Sequence, residues 1–292
     1  MPLSSRTLGA SLAPVVHDID ARWTMAYAAG LDDTLECYLD TRRRAGIVAH
    51  PLFPVCIEWP AVVAARGLPG HEELTAAERA RSVHATHDLL IRRLVRPGDR
   101  LTTRLTIVGV ERRKPGAYQV MRLDTEDATG AAVCTTWMGS LYRGVDVEGP
   151  DRPAADAPPT PAPAAPETPA RAEFHLPIAA TAAHVYTECA RIWNPIHTDP
   201  AFAAAAGLPS IILQGTATLA LAVSRVVTTE AHGDPERVRR IAGRLGAMVP
   251  MPSEIVVRII ERTATPAGDA VRFEVRTANG APAVRDGLVL LG

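Results

Sequence analysis

Between Gly149 and Arg171 the chain carries eight prolines and seven alanines in 23 residues, among them Ala157-Pro158-Pro159-Thr160-Pro161-Ala162-Pro163. Proline removes a backbone donor and fixes φ. Such a stretch can be neither a central strand nor a helix interior, and it favours extended polyproline II backbone. Set between two apolar halves, it reads as a semi-rigid linker. The 292 residues then divide into a first domain over 1–148, a linker over 149–171 and a second domain over 172–292, each domain of ordinary size. With 47% hydrophobic and 22% charged residues, both halves can bury a core, which excludes wholesale disorder.

Several function classes fall away on charge and motif. Net charge is −1, and 30 of the 31 basic residues are Arg, spread evenly, with Lys114 the single Lys. A nucleic-acid partner calls for a basic excess that this chain lacks. Cys37, Cys56, Cys134 and Cys189 are too widely spaced for a zinc ribbon, a redox dithiol or a disulfide scaffold. No apolar run is long enough to span a membrane, so a reducing, cytoplasmic setting is expected. No glycine-rich nucleotide loop and no G-x-S-x-G elbow occurs. No metal or cofactor is expected.

Both halves follow one grammar: an opening helix, an irregular loop, a longer apolar helix, then strands. In the first, helices are expected over 22–30 and 58–66, and strands over about 84–94, 101–112, 117–126 and 131–143, with turns at Pro115-Gly116 and Thr129-Gly130. In the second, Thr181 caps a helix to about Arg191, and Asp199-Pro200 opens a short helix ending at Gly207. The segment 215–229 is apolar or small on nearly every face, so a sheet should wrap it. Strands follow at about 239–248, 254–264, 269–278 and 283–291. The class is α+β. In His84-Ala-Thr-His87, residues three apart on a strand point to opposite faces, which argues against a shared metal.

Tyr186-Thr-Glu-Cys-Ala-Arg-Ile-Trp-Asn-Pro-Ile-His-Thr-Asp199 resembles the hydratase motif of the MaoC-like family of R-specific enoyl-thioester hydratases and dehydratases. Asn194-Pro195-Ile196-His197, Asp199, Gly207-Leu208 and Gln214-Gly215 fall at matching spacings. Tyr27 to Gly30, Pro51 to Pro54 and Arg96 to Asp99 resemble the degenerate first repeat of two-domain members. The resemblance implies a double hot dog, in which each repeat is an antiparallel sheet wrapped around a central helix. It implies hydration of an enoyl thioester, or dehydration of a 3-hydroxyacyl thioester, carried by CoA or an acyl carrier protein. A homodimer is possible.

By the same resemblance His197 is the acid/base, and the Gly215 N–H holds the thioester oxygen as it becomes an enolate, a role suited to a helix start. Asn194 aims the loop, while Tyr186, Trp193, Ile192 and Gln214 line the acyl site. The sequence departs from the family pattern where it counts. The family's catalytic Asp falls at Ile192, its Ser-Gly at Ala190-Arg191, and its His before the glycine at Gln214. Glu188, one helical turn before Ile192, is the nearest replacement carboxylate. Asp33 stands six residues after Tyr27, as the family's Asp would, but Tyr38 stands where its His would be. The first repeat is therefore expected to be structural. Alternatives are a repurposed enzyme that cyclises or isomerises a polyketide-like substrate, or a non-catalytic thioester-binding partner.

Overall fold

The computed structural model describes residues 2–71, 74–159 and 168–292; part of the proline/alanine run lies outside them. The first repeat contains β1 (Leu3–Ser4), β2 (Val15–Asp18), α1 (Ala21–Ala29), α2 (Glu36–Leu39), α3 (Pro54–Ala64), α4 (Ala76–Ala80), β3 (Ser82–Ile91), β4 (Arg100–Arg113), β5 (Gly116–Asp127), β6 (Ala132–Arg143) and β7 (Val147–Glu148). The second contains β8 (Ala172–Ile178), α5 (Ala182–Ala190), α6 (Pro200–Ala205), α7 (Gly215–Glu230), β9 (Val238–Leu245), β10 (Ser253–Thr265), β11 (Gly268–Thr277) and β12 (Pro282–Leu291).

Among the described residues ten strands form one sheet in the order β2-β4-β5-β6-β3-β9-β12-β11-β10-β8. The order is a palindrome about the seam between β3 and β9. The two repeats therefore share a single sheet, with α3 and α7 laid against its concave face: a double hot dog. At the seam Leu89 lies opposite Ile241 and His87 opposite Gly243.

Local sequence accounts for most elements. Asp20 accepts from the Trp23 amide at 2.7 Å and Asp199 from the Ala201 amide at 2.9 Å, capping α1 and α6. Thr181 makes no side-chain cap bond, contrary to expectation. α3 begins a turn earlier than expected, at Pro54, a position where the missing N–H costs nothing. At 11 residues against 16 for α7, it is the shorter central helix. The edge strands β2 and β8, absent from the sequence reading, alternate between half-buried and exposed and so carry little apolar signal.

The core is not divided by repeat. Tyr27, Phe53 and Ile57 of the first pack in one cluster with Tyr186, Leu219, Val223 and Val226 of the second. A smaller cluster, including Val62, Ile107, Met121 and Leu123, lies within the first repeat. The described part of the linker crosses the sheet's outer face instead of spanning open solvent. Arg152 bridges Val110, Asp156 pairs with Arg122, and the Pro159 carbonyl accepts from Arg240 at 2.8 Å.

Candidate active site

The motif occupies the loop from α5 to α6. α5 stops because Arg191 takes left-handed backbone, φ 58°, which costs a non-glycine residue roughly 1–2 kcal/mol. The family pattern has Gly here, which adopts this backbone freely. The Arg191 guanidinium sits 4.0 Å over the Trp23 ring of the first repeat, a cation–π contact that offsets part of the strain.

The turn carries Ile192 off the helix and into the core, where it is 5% exposed. Glu188 remains on the exposed face of α5. The expected sharing of a helical face by these two residues is therefore corrected, because the helix ends between them. Trp193 is 60% exposed and belongs to the surface, not the core.

The next residues are tightly held. The Asn194 side chain accepts from the Ile196 amide at 3.4 Å, capping the single 3₁₀ turn Pro195–His197. His184 donates from Nε2 to the Thr198 carbonyl at 3.0 Å. His197 Nδ1 lies 2.9 Å from the Ile212 carbonyl. A carbonyl only accepts, so Nδ1 carries the proton and Nε2 keeps its lone pair. Burial holds this imidazole below the ordinary histidine value, with the bond to Ile212 pulling the other way. The result is a neutral, oriented imidazole anchored three residues before Gly215.

Gly215 opens α7, and its N–H has no acceptor among the described residues. A Cβ here would meet Leu245 Cδ1 at 2.7 Å, so glycine leaves room at the helix start. Gln214 does not cap the helix. It is buried, with Nε2 donating to the Ala183 carbonyl at 3.1 Å and to Thr187 Oγ1 at 2.7 Å, while its Oε1 lacks a partner. Gln214 thus ties α7 to α5.

Tyr186 is fully buried and donates to Thr216 Oγ1 at 3.1 Å. The Tyr27 hydroxyl stands 3.3 Å from that of Tyr186. This chain of hydroxyls runs from the first repeat to the first turn of α7. Thr216 and the role of Tyr27 escape a motif reading, because the contact joins residues 159 positions apart.

The first repeat has a counterpart of different make. Asp33 is buried and accepts from the Leu35 amide at 3.4 Å, its other carboxylate oxygen has no partner, and burial raises its pKa. His50 Nδ1 accepts from the Leu52 amide at 3.1 Å, so Nε2 donates to Ser224 Oγ at 3.2 Å. Burial pushes His50 down to about 3. Here imidazole and hydroxyl are bonded to one another, and a buried carboxyl stands in the same repeat. A cleft of about 130 Å³ elsewhere between the repeats, lined by Arg43, Arg96, His232 and Glu236 among others, contains none of the motif residues. Among the described residues no group of three His, Cys, Asp or Glu converges as metal ligands.

Residues 161–279 match the family model described as MaoC like domain. Residues 6–136 match the model described as FAS1-like, dehydratase domain region. A segment of 65 residues, 22% of this chain and 21% of the relative, is 40% identical to the peroxisomal enoyl-CoA hydratase 2 of Arabidopsis thaliana; the chain thus spans about a fifth of that protein's length. The MaoC-like dehydratase of Phytophthora capsici superposes with a TM-score of 0.82 at 20% identity, over 98% of this chain and 96% of that one. A conserved hypothetical protein of Mycobacterium tuberculosis, described as having a double hotdog fold, superposes with a TM-score of 0.63 at 18% identity, over 97% and 94% of the two chains. The chain therefore carries a MaoC-like domain in its second half and a FAS1-like dehydratase region in its first.

Proposed function

We propose that the chain hydrates enoyl thioesters, or dehydrates 3-hydroxyacyl thioesters, with His197 as the one acid/base and Gly215 as the oxyanion donor. The observation that carries this reading is the His197 Nδ1 contact to the Ile212 carbonyl, which leaves Nε2 as a free base on a loop tied to the chain three residues before α7. Nε2 takes a proton from water, and the hydroxide adds to the β-carbon. The displaced electron pair moves to the thioester oxygen, which the Gly215 N–H and the helix start stabilise as an enolate. The imidazolium then returns its proton to the α-carbon as the enolate collapses. The carrier is CoA or an acyl carrier protein.

No carboxylate of the motif shares this work, since Ile192 is buried and apolar and Glu188 is exposed. That absence favours a second reading: the same base and helix start applied to isomerising or cyclising a bulkier, polyketide-like chain.

Loss of enoyl-thioester absorbance on crotonyl-CoA and longer enoyl-CoAs tests the assignment. Turnover by the wild type and its loss in His197→Ala support hydration. Turnover unchanged in His197→Ala ends it. Absence of turnover at every chain length favours the second reading.

A further inference from the structure

Strand β3 breaks the rule that residues three apart face opposite ways. A register shift between His84 and Thr86 makes Ala85 an extra residue, a β-bulge. His84 and His87 therefore point to the same face, with ring centroids 5.4 Å apart, which corrects the expectation from strand periodicity. That face is the concave one. His87 shares it with Leu89 and Ile91 of the core, two and four residues on. His84 pairs through Ser140 with Gln119, residues directly opposite on neighbouring strands, which share a face.

This interior patch is polar and only partly satisfied. His87 is 2% exposed, and neither ring nitrogen has a partner. Gln119 is fully buried; its Oε1 lies 3.1 Å from His71 Nε2, but its Nε2 has no partner. His84 Nε2 donates to the Thr86 carbonyl at 3.0 Å, which leaves Nδ1 as an acceptor. Burial pushes His84 to about 4 and His87 to about 3, so both rings are neutral. A buried polar group without a partner costs roughly 1–3 kcal/mol, and His87 carries two such atoms.

The patch adjoins the helix start. His87 lies directly opposite Gly243. A Cβ on Gly243 would sit 3.5 Å from Leu219 Cδ1, as one on Gly215 would meet Leu245. The row from Gly243 to Leu245 thus runs beneath the first turn of α7. His87 thus stands one strand over from the residue beneath Leu219, which lies one helical turn along α7 from Gly215. His84, half-buried at the far end, opens the patch to the outside.

Resting on the hydration reading, we propose that His84, His87 and Gln119 form a polar subsite, supplied by the first repeat, for a neutral oxygen function on the distal acyl chain of the thioester seated at Gly215. Neutral imidazoles and an amide offer both donors and acceptors, which matches a hydroxyl or ketone oxygen. They offer no fixed charge for a carboxylate, and a plain hydrocarbon chain would leave them unpaired. The substrate class is an oxygenated, polyketide-like acyl thioester.

The test compares trans-2-decenoyl-CoA with the same chain bearing a hydroxyl or ketone in its distal half. The expected wild-type kcat/KM favours the oxygenated chain by at least about tenfold, the worth of one well-made hydrogen bond. His87→Leu and, independently, Gln119→Leu should bring the ratio near one, and His87→Gln should keep part of it. Thermal melts establish that each variant folds, with His87→Leu expected to melt higher than the wild type. A ratio near one in the wild type, or a preference unchanged in both Leu variants, overturns the subsite and leaves hydration standing. If no chain turns over, hydration falls, and calorimetric binding of decanoyl-CoA against its hydroxylated form reads the subsite alone. Tighter binding of the hydroxylated chain that His87→Leu abolishes upholds the subsite, and equal affinity sinks it.

Discussion

His197 is oriented by backbone alone. The Ile212 carbonyl fixes its tautomer, and burial keeps it neutral below the ordinary histidine value. On the proposed mechanism the free base is the working form, so hydration should hold level as pH falls to about 6.5 and decline only below it. A pH profile of kcat/KM checks this, and an acid limb centred at or above 6.5 would contradict it. Ile192→Asp restores a carboxylate where the family pattern has one. It should raise crotonyl-CoA hydration about tenfold or more while lowering stability by roughly 1–3 kcal/mol, since it buries a polar group in an apolar seat; paired rate and urea-unfolding measurements read both. Glu188→Gln, on an exposed helix face, should change neither.

The buried histidines also set acid stability. With a folded pKa below the unfolded value, each resists protonation that the unfolded chain accepts. Stability is whole above the unfolded value near 6.5 and is lost as pH falls toward the folded values, about 3 for His50 and His87 and about 4 for His84. Glu58, pushed up to about 7 by burial against a bond from Thr136, works the other way between its unfolded value and about 7. The imidazoles held down, His17 and His197 among them, outnumber the carboxyls held up, Glu58, Asp33 and Asp88, so Tm should drop from pH 6.5 to 4, and His87→Leu should flatten that drop.

At the scale of elements, α7 is the member on which the site depends. Its first turn offers Gly215, its second residue accepts from Tyr186, and Gln214 straps it to α5. Tyr186→Phe keeps the ring and removes the bond to Thr216, so it should cost about 1 kcal/mol of stability and loosen the helix start; denaturant unfolding measures the first, and KM against kcat the second. The strand β3 shows what periodicity cannot reveal. A period-two pattern puts His84 and His87 on opposite faces, and one inserted residue, Ala85, reverses that. Nothing in the local sequence marks Ala85 as extra; only the pairing with β6 does.

The molecule as a whole is one sheet with one continuous core. β3 and β9 pair across the seam, and the main cluster draws on both repeats. Segments 1–148 and 172–292 expressed apart should each fail to unfold cooperatively, because each exposes a seam edge and half of the shared core; circular dichroism melts of the two halves against the full chain check this. Two independent, sharp transitions would contradict it.

The α+β class, the repeated grammar, the boundaries of most strands, the cap at Asp199 and the opening of α7 at Gly215 were legible in the sequence. Each depends on local propensity or on spacing along one segment. The inward turn of Ile192 away from Glu188, the Tyr27–Tyr186–Thr216 chain, the strapping of the linker to the sheet and the shared face of His84 and His87 were decided by tertiary structure alone. These rest on contacts between segments far apart in the chain or on a register shift, and local pattern carries no information about which distant surface a residue will meet.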